Sequence, residues 1–73
     1  MKNLIKLKRV LRGLTQAELA GKALVSRQTI NAIEAGRYSP TTLLSLKLAA
    51  ILRSPVEEIF TLEPEDWAAN KER

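Results

Sequence analysis

The side chains best suited to specific chemistry in this chain are Arg27, Gln28 and Asn31, within the segment Ser26-Arg27-Gln28-Thr29-Ile30-Asn31. A guanidinium and two amides carry forked donors and acceptors. Those forks fit base edges in a major groove, where Arg pairs with guanine and Gln or Asn with adenine at about 1–3 kcal/mol of discrimination each. Such chemistry is recognition, not bond making. The chain has no His and no Cys, so it lacks the usual general base, thiolate nucleophile and commonest metal ligands. The remaining carboxylates, lysines, serines and the tyrosine are scattered. A chain of 73 residues buries only about 60% of its unfolded surface, which leaves little room for a deep pocket. No enzymatic activity, metal or cofactor is expected.

Recognition side chains must be held by rigid elements, and the stretch Thr15 to Glu34, TQAELAGKALVSRQTINAIE, supplies two helix starts. Thr15 and Glu18 have the spacing of a capping box, in which hydroxyl and carboxylate satisfy otherwise orphaned backbone N–H groups. Ser26 is a second N-cap, preceded by Val25, which can face the core. Leu19, Ala20, Ala23, Val25, Ile30 and Ile33 have the spacing to pack one helix across the other, leaving Arg27, Gln28 and Asn31 outward. The unit reads as a DNA-binding helix-turn-helix.

The rest of the chain reads as all-α, a compact five-helix bundle with no strands, because every apolar run has helical spacing. The first helix spans about Lys2 to Arg12, with Ile5 and Leu11 inward and Gly13 ending it. The second spans about Gln16 to Lys22 and the third about Arg27 to Ala35, stopped by Gly36. After a loop through Arg37, Tyr38 and Ser39, the fourth spans about Thr42 to Leu52, with Leu44, Leu48 and Leu52 central to the core. Ser54-Pro55 opens a short fifth helix, Val56 to Phe60, with Glu57 and Glu58 near its positive end. This gives a domain over residues 1–62 and an acidic tail over residues 63–73, partly ordered at most or used in dimerisation. Ile59, Phe60, Leu62 and Trp67 are the residues available to close the core or form a self-complementary patch.

Charge is divided along the chain. Residues 1–53 hold ten Lys or Arg against Glu18 and Glu34, whereas residues 54–73 hold Lys71 and Arg73 against six acids. A basic body with an acidic end fits a polyanion held on one face. No apolar run reaches the roughly 18 residues of a membrane span, and Lys2, Lys6 and Lys8 interrupt any signal-like N-terminus. A soluble cytoplasmic location is expected, with nucleoid association when bound to DNA.

The segments Gly13-Leu14-Thr15-Gln16, Glu18-Leu19-Ala20, Val25-Ser26-Arg27-Gln28-Thr29-Ile30 and Ile33-Glu34-Ala35-Gly36-Arg37-Tyr38, followed by Pro40 and Glu57-Glu58-Ile59-Phe60, resemble the XRE family of phage Cro and repressor-type regulators. The resemblance covers roughly residues 3–62 and is nearest to the short stand-alone bacterial and archaeal forms. It implies a lambda-repressor-like fold and a sequence-specific transcriptional regulator, expected to be a repressor, that binds a double-stranded DNA operator as a homodimer. It also implies roles for particular residues. Gln16 meets a phosphate and braces Gln28, while Thr29 and Asn31 touch a phosphate, a thymine methyl or a neighbouring base. Arg37 and Tyr38 contact the sugar–phosphate backbone, and Arg9 and Glu34 form a partly buried structural ion pair. The chain departs from the family pattern at Leu24, a turn position where Gly is common, and at Lys8 and Thr42, where Leu7 and Leu43 can compensate through small rotations. An antitoxin or a protein-interaction module on the same fold, with a toxin or other protein as partner, is the alternative.

Overall fold

The computed structural model describes residues 1–68. Its elements are β1 (Lys2–Asn3), α1 (Ile5–Leu11), α2 (Gln16–Ala23), α3 (Arg27–Glu34), α4 (Thr42–Leu52), α5 (Val56–Ile59), β2 (Phe60–Thr61) and α6 (Pro64–Ala68). Six helices and a two-residue antiparallel ribbon therefore replace the five helices without strands that the sequence suggests. Lys2 lies opposite Thr61 and Asn3 opposite Phe60, and the Leu4 N–H extends the pairing by donating to the Ile59 carbonyl at 2.8 Å. Two-residue strands leave no period in a sequence, so this pairing of distant segments has no local signature.

Helices α1 to α4 end in one and the same way. A left-handed residue follows each, at Gly13, Leu24, Gly36 and Arg53. The N–H of the next residue reaches back to close the last turn: Leu14 to Arg9, Val25 to Ala20, Arg37 to Ala32 and Ser54 to Ala49. These are Schellman closures. Gly36 and Gly13 adopt the conformation without a Cβ penalty, whereas Leu24 (φ 61°) and Arg53 (φ 55°) bear one. The helix starts are equally explicit. Thr15 forms the capping box with Glu18, and Ser26 and Thr41 accept from Thr29 N and Leu44 N.

The core is aliphatic. Ile5, Leu19, Ile30, Ile33, Leu44, Leu48, Leu52 and Ile59 are buried together with Ala20 and Ala23, whose small side chains let α2 and α3 approach closely. Each large member contributes about 1.5–3 kcal/mol. Leu14, Val25, Ala49, Ile51 and Phe60 pack half-buried against them. Ile59 and Phe60 thus close the core, while Leu62 and Trp67 stay exposed.

Leu11, expected inward, is exposed. The first residues form β1 and α1 begins only at Ile5. Ile5 and Arg9, four apart, set the inward face, and Leu11 falls on the opposite side. Leu7 and Leu43 are exposed as well, so neither rotates inward to stand in for Lys8 or Thr42. At the other end, α6 occupies the first part of the acidic segment, and residues 69–73 lie outside the described ones. Asp66 caps this segment by accepting from the Glu63 N–H at 2.7 Å. The Met1 amine sits 2.9 Å from Glu63 Oε1 and 3.2 Å from Asp66 Oδ2. Hydrogen bonds to Glu63 and then Asp66 raise the amine above its ordinary value. The Asp66 carboxyl is lowered, chiefly by the Glu63 N–H and then by the amine.

Candidate nucleic-acid interface

The start of α3 is a polar ridge on an apolar support. Ile30 and Ile33 are buried beneath it, while Arg27, Gln28 and Asn31 are exposed and Thr29 is half-buried. Ser26 makes this possible by accepting from the Thr29 N–H at 3.1 Å, which caps the helix so that it begins at Arg27. The Thr29 hydroxyl lies 2.9 Å from Ser26 Oγ and so belongs to the cap. Gln28 makes no side-chain hydrogen bond among the described residues, leaving both ends of its amide available.

Behind the ridge, a hydrogen-bonded chain ties three helices together. Arg9 on α1 donates from Nε to Glu34 Oε2 at 2.7 Å and from Nη2 to Glu34 Oε1 at 3.3 Å. Its Nη1 donates to the Leu14 carbonyl at 2.8 Å. Both side chains are nearly sealed, with 11% of Arg9 and 7% of Glu34 exposed. A bidentate pair with its remaining donor satisfied can persist at this depth, whereas one isolated member could not. Glu34 Oε1 also accepts from Gln16 Nε2 at 3.1 Å, and Gln16 Oε1 accepts from Arg27 Nη1 at 3.4 Å. Gln16 therefore links the buried pair to Arg27, where the resemblance implied a brace on Gln28. The difference follows from reach: Arg27 is the first residue of α3, nearest the start of α2.

A second link crosses the end of α3. Arg37 Nη2 donates to Asn31 Oδ1 at 3.2 Å, so a residue read as base-facing is joined to one read as backbone-facing. The Gly36 turn brings them together. Tyr38 lies exposed just beyond. At the start of α2, the Glu18 carboxyl is held below its ordinary value, first by the Thr15 N–H and then by the Thr15 hydroxyl.

Asn3 is a positioning residue that local sequence reading misses. Its Nδ2 donates to the Ile33 carbonyl at 2.8 Å, and its Oδ1 accepts from the Ile5 N–H at 3.2 Å. It thereby fixes the start of α1 to the last turn of α3. Only the identity of an amide beside an apolar helix start hinted at it, and that hint names no partner.

Two capped helices joined by a left-handed turn, with exposed amides and a guanidinium at the second start, define a helix-turn-helix protein. The helix-turn-helix family model matches residues 5–59. An uncharacterized HTH-type transcriptional regulator of Methanocaldococcus jannaschii is 47% identical over 66 residues, 90% of this chain and 100% of that protein. Another, from Bacillus subtilis, is 41% identical over 66 residues, with the same 90% and 100% coverage. Among solved structures, the restriction-modification controller protein C.AhdI from Aeromonas hydrophila superposes with a TM-score of 0.71 at 28% identity, over 77% of this chain and 85% of that one. The hypothetical transcription factor NHTF from Neisseria gives the same score and identity over 89% and 74%. The chain belongs to the helix-turn-helix family, in the XRE-like group of DNA-binding transcriptional regulators.

Proposed function

We propose that this regulator binds duplex DNA sequence-specifically, with the start of α3 in the major groove, and represses transcription from the operator it occupies. The observation that carries this reading is the exposed ridge of Arg27 and Gln28, held on a helix whose opposite face is buried and whose far end is anchored by Arg9 and Glu34. Gln28 reads a base edge through its free amide, and Arg27 reads guanine from a guanidinium already oriented by Gln16. Gln16, Thr29, Arg37 and Tyr38 position the protein on the sugar–phosphate backbone. The positive end of α2 adds to the attraction of a phosphate beside Gln16. Asn31 reads a neighbouring base while sharing its oxygen with Arg37.

One such ridge touches few base pairs, so the regulator acts as a homodimer on half-sites about 34 Å apart or a multiple of that spacing. Leu62 and Trp67, exposed beside β2 and on α6, are the apolar surface offered for that contact. The test is titration of labelled duplex at several salt concentrations. Affinity should fall steeply and linearly on a log–log plot as counterions are released. Salt-independent or undetectable duplex binding contradicts the reading.

A further inference from the structure

Helix α1 is turned the wrong way for an ordinary surface helix. Its inward side carries Ile5 and the paired Arg9, whereas its outward side carries Leu7 (52% exposed), Val10 (58%) and Leu11 (73%), with Leu4 (46%) beside them at the N-cap. Leu4, Leu7 and Leu11 follow the i, i+3, i+7 spacing of one helical stripe, and Val10 widens it. A surface helix normally buries such a stripe and shows water its charges. None of these residues belongs to the hydrophobic core cluster or packs half-buried against it. Residues 69–73 bring only Ala, Asn, Lys, Glu and Arg, so they hold no large apolar side chain to cover it. At its far end Val10 borders an open concavity of about 500 Å³ whose other wall, with Gln16 and Arg27, belongs to the candidate nucleic-acid interface, so the stripe itself is confined to Leu4 through Leu11.

We infer that the outer face of α1 docks an amphipathic helix of another protein, whose apolar side covers Leu4, Leu7, Val10 and Leu11 and whose borders are acidic. The acidic requirement comes from the rim. Lys6 borders the stripe on one side and Lys8 on the other, Lys2 and Arg12 lie at its ends, and residues 1–14 contain no acid. Among the described residues, Lys8 alone of these four has an ionic contact, 3.9 Å from Glu58. A second copy meeting face to face would set lysine against lysine, which disfavours self-pairing, whereas carboxylates on a visiting helix meet Lys2, Lys6 and Arg12, and Lys8, which already faces Glu58. Helix-on-helix burial of leucines at this spacing is an established mode of partner recognition, with charge setting which partner is accepted. The inference goes beyond DNA binding and does not depend on it.

The test uses isotope-labelled full chain and two short synthetic helices with the same leucine stripe, one bordered by Glu and one by Lys. The Glu-bordered helix should shift the backbone resonances of residues 4–11 and bind at least about tenfold more tightly than the Lys-bordered one, weakening with salt. Leu7→Glu should abolish those shifts while leaving helical content and duplex affinity unchanged. Four results overturn the inference: equal affinity for both helices, binding indifferent to Leu7→Glu, concentration-dependent shifts at residues 4–11 without any peptide, or Leu7-dependent binding to phosphatidylglycerol vesicles with none to the Glu-bordered helix. The third result would identify a second copy as the occupant, and the fourth a membrane surface.

Discussion

The α2–α3 unit and the end of the molecule formed by β1, β2 and α6 are held by different means. In the first, closures are made by near neighbours: Thr15 with Glu18, Ser26 with Thr29, and carbonyls of Ala20 and Ala32 with N–H groups five residues on. In the second, Asn3 reaches Ile33, Lys2 faces Thr61, and Met1 bonds Asp66 across 65 positions. The proposed DNA-reading surface sits on the locally determined part, and the distant contacts fix how α1 is set against it. Local closure gives the ridge its shape. Long-range contacts give it its direction.

The largest expected effect comes from cutting α1 away from α3. Glu34→Ala leaves the Arg9 guanidinium sealed without its carboxylate, so unfolding by denaturant should show a loss of about 3–5 kcal/mol. A loss near zero would mean that the pair does not hold α1 to α3. Asn3→Ala tests the distant side more gently. It orphans the Ile5 N–H and strips one of two donors from the Ile33 carbonyl, which keeps the Gly36 N–H, and should cost about 1–3 kcal/mol. Faster hydrogen exchange at residues 2–5 than at residues 27–30 would locate the damage where the comparison places it.

Substitution of the two strained closures works in the opposite direction. Leu24→Gly or Arg53→Gly relieves a left-handed side-chain penalty of about 1–2 kcal/mol, partly offset by the freer unfolded chain. A small gain in midpoint is expected from each, and a loss would show that the side chain does more than tolerate the turn. Smallest of all is the acid response of the α2 start. The folded Glu18 carboxyl titrates below its ordinary value, so its contribution is present at neutral pH and disappears as pH falls through the folded pKa. Glu18→Gln should flatten that acid limb slightly and leave the alkaline side unchanged.

The same contrast explains what the sequence could announce. Thr15, Glu18, Ser26 and Gly36 act on residues within five positions, so their types and spacing name both the element and its end. The bounds of α4 follow from Leu44, Leu48 and Leu52 in the same way. The ribbon escapes notice because two residues have no period, and Asn3 because its partner is 30 positions away. Leu11 faces outward for a different reason: six residues from Ile5, it lies about 120° away around α1, whereas Arg9, four residues on, shares the inner face. At the candidate interface, residue types suggest groove chemistry, but only geometry shows Gln16 turned to Glu34 and Arg27, and Asn31 joined to Arg37.

Selection from random duplexes by the purified chain, repeated with Gln28→Ala and Arg37→Ala, bears most directly on the role of α3. Base reading by Gln28 predicts a symmetric site in which Gln28→Ala relaxes one or two base pairs per half, by about 1–3 kcal/mol, while Arg37→Ala weakens all sequences alike and lowers the salt slope by about one. An unchanged selected site with Gln28→Ala, or the same pattern from both variants, contradicts it.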